Sequence, residues 1–155
     1  MTTSAPVRSA EQRKKDTLHR LEHDVDAWVA TADGASGTPY LVPLSFLWNG
    51  SYLLFATPAS SPTGRNLAAS GRARVGIGPT RDVVLVEGTV ETVQPGELTE
   101  QDAELFAAKT GFDPRRPATP YLYFRVVPRR IQAWREADEL DGRELMRDGR
   151  WLKTD

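Results

Sequence analysis

The feature that most constrains the fold is a pair of apolar segments separated by a single turn dipeptide. Residues 40–48 and 51–56 are apolar, aromatic or β-branched at most positions, which is typical of strands. Asn49 and Gly50 lie between them, and this dipeptide tolerates the positive φ angles of a two-residue type I′ turn. The sequence therefore predicts an antiparallel hairpin here, to which the neighbouring segments must add.

A short helix is predicted directly after the hairpin, over residues 62–69. Pro62 suits the first helical position, Ser61 suits the N-cap and Gly71 suits the C-terminal cap. Free amides and hydroxyls at a helix N-terminus can bind an anion, and Arg65 adds a positive charge one turn in. Two interpretations stay open from this local pattern: a site for a phosphate-bearing ligand, or an ordinary capped connecting helix.

Further helices and short strands are predicted along the rest of the chain. Helices are predicted over residues 11–22 and 98–109, strands over residues 25–32, 72–78, 83–93, 121–127 and 130–134, and a last hairpin over residues 145–152. Gly88 is a candidate β-bulge, Thr99 is a candidate N-cap, and Leu105 and Phe106 are expected on the buried side of their helix. Strands that pair mainly with sequence neighbours and must hide their edges predict a mainly β fold, a closed or split antiparallel β-barrel.

Length and composition limit the class of protein further. A chain of 155 residues suits one domain over residues 1–155, in which residues 1–10 are predicted to be a flexible arm. The 20 basic and 21 acidic residues argue against nucleic acid as the main partner. The absence of cysteine excludes disulfides and thiol chemistry. No apolar run reaches membrane-spanning length and no signal peptide is evident, so a soluble cytoplasmic protein is expected.

Two histidines raise the question of a metal site. His19 and His23 are four residues apart on the predicted helix over residues 11–22, so they share one face of it. Tetrahedral metal sites in proteins take three or four protein ligands, and no third ligand is placed nearby. Two surface histidines are therefore expected, and no metal site is predicted.

Several short motifs, taken in their order along the chain, resemble one known family. They are Pro-Leu-Ser at residues 43–45, Asn-Gly at 49–50, Phe-Ala-Thr at 55–57, Ser-Ser-Pro-Thr-Gly-Arg-Asn-Leu at 60–67, Gly-Arg-Ala-Arg-Val at 71–75, Val-Glu-Gly-Thr-Val-Glu at 86–91 and Pro-Arg-Arg-Ile-Gln-Ala-Trp at 128–134. Their joint order is similar to that of the pyridoxamine 5′-phosphate oxidase-like, flavin-binding split-barrel superfamily. The resemblance spans residues 25–152 and implies a split barrel and a homodimer with two cofactor sites between the subunits.

The resemblance also implies which residues bind the cofactor, expected to be FMN or, alternatively, the deazaflavin coenzyme F-420. Four residues are expected along the flavin ring: Val42, Pro43, Leu44 and Ser45. Four are expected to approach the phosphate: Thr57, Ser60, Ser61 and Arg65. Trp134 and Arg143 match the family's Trp and Arg near the cofactor, contributed by the partner subunit. The resemblance thus favours the phosphate site over the ordinary capped helix.

The sequence also departs from the pattern of true pyridoxamine 5′-phosphate oxidases. Pro62 and Thr63 stand where those enzymes carry a basic pair, and the flavin-contacting Gln falls near Val83. Glu139 and Asp141 stand where an Arg and a His hold the vitamin substrate. Two carboxylates there would repel a dianionic phosphate, so oxidation of pyridoxamine 5′-phosphate is not expected.

Two functions of different classes follow. The first is an oxidoreductase in which FMN or a deazaflavin transfers a hydride to a small conjugated or quinone-like acceptor. The second is a non-catalytic protein that binds or sequesters a flavin or haem, with His19 and His23 as the available imidazoles. No acid–base pair stands out in the sequence, so no catalytic residue is assigned.

Overall fold

The computed structural model describes residues 5–154, which form eight strands and three α-helices. In chain order these are α1 Ala10–His23, β1 Asp26–Ala32, β2 Pro39–Trp48, β3 Leu53–Pro58, α2 Pro62–Ser70, β4 Arg72–Ile77, β5 Asp82–Val93, α3 Glu100–Thr110, β6 Tyr121–Arg135, β7 Glu144–Arg147 and β8 Arg150–Trp151. Two short 3₁₀ turns lie at Pro95–Glu97 and Ala137–Glu139. Residues 1–4 of the predicted arm lie outside the described residues.

The strands form an antiparallel barrel closed by one long strand. Neighbouring strands pair in the order β3-β2-β1-β4-β5-β6, and β6 then pairs back onto β3, so six strands close on themselves. β6 is 15 residues long, which lets its first part pair with β3 while its second part pairs with β7. β7 and β8 extend the sheet from β6 as a short hairpin. The predicted mainly β fold, a split antiparallel barrel, is confirmed.

The barrel is filled by apolar side chains that alternate along each strand. In β1, Ala27 and Val29 are buried while Trp28 between them is 54% exposed. Phe46 and Phe55 face each other across β2 and β3 and are both fully buried. Each fully buried side chain of this size contributes roughly 1.5–3 kcal/mol relative to an exposed one. The interior is therefore a packed core, and ligands must bind at its ends or outside.

Helix α3 covers the outer side of β3 and the start of β6. Thr99 caps it, since its side chain accepts a hydrogen bond from the amide of Asp102 at 3.1 Å, which confirms the predicted N-cap. Phe106 is buried as predicted, but Leu105 is 49% exposed, so the prediction for Leu105 is wrong. Ala103 takes its place, because residues three apart share one face of a helix and adjacent residues do not.

The turn between β2 and β3 differs from the predicted one. The hairpin is confirmed, but a four-residue loop, residues 49–52, joins the last paired residues, and only Gly50 has a positive φ, of 96°. The type I′ prediction is therefore wrong. The side-chain oxygen of Asn49 accepts hydrogen bonds from the amides of Ser51 and Tyr52, both at 2.9 Å, and this local cap stabilises a wider turn. The last hairpin does turn at Asp148 and Gly149, both with positive φ.

A bulge does occur at Gly88, but its extra residue lies on the partner strand β6 and not on β5. Glu87 pairs with Arg130 and Gly88 pairs with Pro128, so Arg129 has no partner on β5. A proline lacks an amide hydrogen and is tolerated in a sheet at such a bulge. The two strands predicted over residues 121–127 and 130–134 are therefore one continuous strand, bent at its middle.

Replacement of Gly88 by Ala is expected to destabilise the barrel by about 1–3 kcal/mol. An added Cβ would lie 2.6 Å from Cγ1 of Val126 and 2.8 Å from the carbonyl oxygen of Val127. The matched control is Gly96→Ala, because a Cβ at Gly96 meets no atom within 4 Å. Urea unfolding measures both variants, and equal stability of the two would contradict the role assigned to Gly88.

Candidate functional site

The start of α2 is held tightly against the end of β3. The hydroxyl of Ser61 donates to the carbonyl of Pro58 at 2.8 Å and accepts from the amide of Gly64 at 3.0 Å, which confirms Ser61 as the N-cap. A Cβ added at Gly64 would lie 2.4 Å from the oxygen of Pro58, so only glycine allows this approach. Gly71 ends the helix with a φ of 63°, as predicted. The sequence reasoning missed Gly64.

The four residues predicted around a phosphate lie together at this point. The hydroxyls of Thr57 and Ser61 are 3.2 Å apart, and the Arg65 guanidinium donates to the carbonyl of Ser60. Ser60 and Arg65 are exposed, so both are accessible to a ligand. Thr63 was not predicted to bind the phosphate. Its hydroxyl is buried and has no hydrogen-bond partner in residues 5–154. This donor set suits an anion at the N-terminus of a helix.

A buried hydrogen bond fixes the orientation of α2 on the barrel. The side-chain amide of Asn66 donates to the hydroxyl of Thr31 at 3.1 Å, and the two side chains are only 8% and 7% exposed. Because an unmade bond between buried polar groups costs about 1–3 kcal/mol, this contact specifies one position for the helix. The pair is 35 residues apart in sequence, and no local pattern indicates it.

The four residues predicted along a flavin ring lie on β2 where the barrel splits. β2 pairs with β3 only over Phe46, Leu47 and Trp48, whereas residues 42–45 pair with β1 alone. In the described part of the chain no strand pairs with the other edge of residues 42–45, so backbone groups on that edge are available to a ligand. The split opens beside the end of β3, where α2 begins.

The side chains of these four residues do not share one face. Val42 and Leu44 lie opposite Val29 and Ala27 of β1, on the barrel's inner side, and Pro43 and Ser45 point outward. The hydroxyl of Ser45 donates to the carboxylate of Asp26 at 2.6 Å. A flat ligand along this strand would therefore meet backbone edges and alternate side chains.

Trp134 and Arg143 are close to each other but far along the chain from the split. The Arg143 guanidinium lies 5.9 Å from the ring centroid of Trp134, and Val83 pairs with Trp134 across β5 and β6. β6 places Leu122 beside Thr57, so Trp134 is twelve residues further along the same strand. At about 3.3 Å per residue this is a strand path of roughly 40 Å, and one chain therefore leaves the two groups at opposite ends of β6.

Glu139 is not a free carboxylate. It is 1% exposed, and it accepts from the Arg8 side chain at 2.7 Å, the Arg8 amide at 2.8 Å and the Arg135 amide at 2.7 Å. Burial acts to raise the pKa of Glu139, but the hydrogen bonds from Arg8 and Arg135 outweigh it and lower the pKa to about 2. The repulsion predicted from Glu139 is therefore wrong, because Arg8 compensates its charge. Asp141 is exposed.

A second buried arginine holds the same turn. Arg13 is 3% exposed and donates to the carbonyl oxygens of Ala133, at 3.2 Å, and Glu139, at 3.0 Å. Together with Arg8 it clamps the segment between β6 and β7, next to Trp134. The part of the predicted arm around Arg8 is thus tied to the barrel by contacts 131 residues apart.

The two histidines lie together on the surface of α1. Both side chains are exposed, and their rings stack with centroids 4.1 Å apart. Within residues 5–154, no group of three or more His, Cys, Asp or Glu side chains is arranged to hold a metal ion. Over the same residues, no helix combines the length and apolarity that crossing a membrane requires.

The closed antiparallel barrel, its split between β2 and β3 and the capped helix beside that split define a split-barrel protein. The family model of pyridoxamine 5′-phosphate oxidase matches residues 17–135, and the chain belongs to this family. The resemblance inferred from the sequence motifs is thereby confirmed. No protein of curated function matches the sequence significantly.

Solved structures with the same fold share little sequence with this chain. An F420 reductase is 21% identical, with a TM-score of 0.61 and coverage of 73% of this chain and 93% of the reductase. A FAD-binding protein from Mesorhizobium loti is 20% identical, with a TM-score of 0.61 and coverage of 76% and 89%. An FMN-binding protein from Nostoc punctiforme, related to pyridoxamine 5′-phosphate oxidase, is 14% identical, with a TM-score of 0.51 and coverage of 80% and 78%. At these identities the likeness shows a shared fold.

The Glu139 ion pair should make stability depend on pH in a defined window. The pKa of Glu139 is lowered to about 2 in the folded protein. Its contribution to the free energy of unfolding is therefore complete above the pKa of a glutamate in the unfolded chain, and it is lost as pH falls toward 2. Glu139→Gln should reduce the free energy of unfolding at pH 7 by about 3 kcal/mol and flatten the stability curve between about pH 5 and about pH 2.

The control for this prediction is Asp141→Asn, which removes an exposed carboxylate from the same segment. Denaturant unfolding at a series of pH values measures all three proteins. The control should follow the wild type, and a Glu139→Gln curve parallel to the wild type through this acid range would contradict the prediction.

Proposed function

We propose that this protein is a homodimeric oxidoreductase that uses FMN, or alternatively the deazaflavin F-420, to transfer a hydride to a small conjugated or quinone-like acceptor. The observation that carries the proposal is the split between β2 and β3, which joins an unpaired strand edge to an anion site at the start of α2. Proteins with this fold include an F420 reductase and FAD- and FMN-binding proteins, which supports a flavin as the ligand.

The anion site fits the phosphate end of such a cofactor. Three hydrogen-bond donors lie within residues 60–65. They are the exposed hydroxyl of Ser60, the guanidinium of Arg65 and the hydroxyl of Thr63, which has no partner among the described residues. The N-terminus of α2 adds about half a positive charge from its aligned peptide dipoles. Phosphate oxygens accept several such hydrogen bonds at once, and their negative charge strengthens each of them.

The unpaired edge of residues 42–45 fits the ring end. A flavin or deazaflavin ring has a polar edge of alternating donors and acceptors, which backbone amides and carbonyls can match. Pro43 and Leu44 offer apolar surface beside that edge. When bound, the ring carries the hydride, while the protein positions it and excludes water. Backbone recognition of this kind does not distinguish FMN from a deazaflavin.

A second subunit would complete the site. Trp28, Leu41 and Leu85 are 54%, 59% and 37% exposed, and they lie on the outer face of neighbouring strands, where Trp28 and Leu85 both pair with Gly76. A patch of large apolar side chains in a monomer is typical of an interaction surface. A two-fold dimer through this face is expected to bring Trp134 of the partner subunit toward the split.

The acceptor is proposed to be a neutral conjugated molecule rather than pyridoxamine 5′-phosphate. Arg8 compensates Glu139, and Asp141 is a carboxylate, so neither position offers the free cation that a substrate phosphate requires. A non-catalytic flavin carrier would use the same cofactor site and is the alternative. Oxidation of the reduced, cofactor-loaded protein by a quinone in stopped flow supports the enzyme, and a rate equal to that of the free cofactor supports the carrier.

Arg65→Ala should weaken the binding of FMN by about tenfold or more and leave riboflavin binding nearly unchanged, because only the phosphate contact is lost. The control variant is Arg116→Ala, whose side chain is 87% exposed in a loop beyond α3. Fluorescence titration of the wild type and both variants with both flavins measures the six affinities. Equal affinities of Arg65→Ala and wild type for FMN would make Arg65 an ordinary solvated helix residue.

The dimer can be tested with one apolar residue on the proposed interface. Leu41→Glu should convert a wild-type dimer into a monomer, because an unpaired charge cannot be buried in an apolar interface. Leu105→Glu is the matched control, since Leu105 is 49% exposed on α3, away from this face. Light scattering at micromolar concentration should give a dimer for wild type and control, and a monomeric wild type would refute the proposed assembly.

A further inference from the structure

The bulge in the middle of β6 lies beside a cleft that two neighbouring arginines line. Glu87 pairs with Arg130 and Gly88 pairs with Pro128, so Arg129 is the extra residue of the bulge. Arg129 and Arg130 both line one cleft on the outer surface of the barrel. Bulges that re-aim a side chain are over-represented next to functional sites.

A ladder of ion pairs crosses the floor of this cleft. Arg74 lies 2.5 Å from Glu87, and Arg130 lies 3.5 Å from Glu87 and 2.9 Å from Glu144. Arg147 pairs with the same Glu144. The ladder spans four neighbouring strands, β4 to β7, and it engages both glutamates. These carboxylates are therefore occupied and do not neutralise the remaining cations of the cleft.

Two arginines of the cleft stay outside the ladder. Arg72 on β4 and Arg129 on the bulge both line it, and neither has a carboxylate within 4.0 Å among the residues that the structure describes. Five arginines and three carboxylates line the cleft, so it carries surplus positive charge on a chain whose net charge is −1. The carbonyl of Arg129 accepts from the amide of Gly149 at 2.8 Å, which fixes the bulge against the β7–β8 turn.

The cleft has the size and wall of a small-molecule site. Its volume is about 790 Å³, within the range of ligand pockets. Ala30 and Ala32 form a small apolar wall beside the arginines. We propose that this cleft binds a small phosphate monoester, with the phosphate held by the guanidinium groups of Arg72 and Arg129 and the apolar body lying on the alanines. Planar guanidinium groups match phosphate oxygens in a two-pronged geometry.

The proposed cleft does not depend on the flavin site. The cofactor phosphate is assigned to the start of α2 around Arg65, whereas the cleft includes Ser70 at the end of that helix and lies on the outer face of β4 to β7. It begins beside the apolar dimer patch, because Ala30 pairs with Leu41. A ligand bound here would lie on the outside of the barrel, close to the proposed contact between subunits.

The test uses phenyl phosphate as the probe, with ³¹P NMR and calorimetric titration of the full chain. All titrations are made in an Arg65→Gln background, which removes the guanidinium from the start of α2. Saturable binding is expected to remain in this background and to weaken with added salt. Arg72→Gln and Arg129→Gln should each weaken it by about tenfold or more. Phenol, which lacks the phosphate, should not bind.

Two further variants make the outcome decisive. Arg116→Gln removes an exposed arginine outside the cleft and should leave the affinity unchanged. Arg129→Lys keeps the charge but loses the planar fork, and it should recover part of the affinity lost in Arg129→Gln. Arg72 and Arg129 lie on different strands, so a folding defect in one variant leaves the other informative. The proposal is overturned if Arg65→Gln alone abolishes binding, or if both glutamine variants bind as tightly as their parent.

Discussion

Six antiparallel strands close into a barrel here because β6 is paired along both of its edges. Its first part lies between β3 and β5, and its second part lies between β5 and β7. A straight strand of this length could not follow the curvature of a small barrel. The strand bends at the bulge, where the missing side chain of Gly88 lets the backbone of Val127 approach and the missing amide hydrogen of Pro128 disturbs no ladder bond. Closure, and with it the core, thus depends on a glycine facing a proline.

The same closure creates the split. Because β3 pairs with β6 over residues 53–58, only the first three of those residues also pair with β2, and the two strands diverge beyond Phe46 and Phe55. A backbone edge that would be an aggregation hazard on an open sheet is here flanked by α2 and available to a ligand. The tight approach of Gly64 to Pro58 brings the helix N-terminus to this opening. The candidate cofactor site therefore follows from strand topology together with one glycine, and no catalytic side chain is needed to define it.

Much of the fold could be predicted because its signals are local. Thr99 and Ser61 cap helices through neighbours three residues away, and Gly88 lies on β5 opposite the bulge of β6. The wider turn at Asn49 could not be predicted from the Asn-Gly dipeptide. The side-chain oxygen of Asn49 accepts hydrogen bonds from the amides of the turn, in competition with backbone carbonyls. Leu105 is exposed and Ala103 is buried instead, because the strands that α3 covers decide which face of this short helix is buried.

The part of the site that could not be predicted depends on contacts between residues distant in sequence. From the sequence alone, Glu139 was expected to face the substrate. Its actual partner, Arg8, is 131 residues away in sequence, and no local pattern indicates this contact. The paired carboxylate of Glu139 holds the segment between β6 and β7. Because the pair is buried, removing either partner would leave an uncompensated buried charge. The Glu139 carboxylate is thereby committed to an internal ion pair with Arg8 and to the amide of Arg135, and these contacts fix the segment beside Trp134.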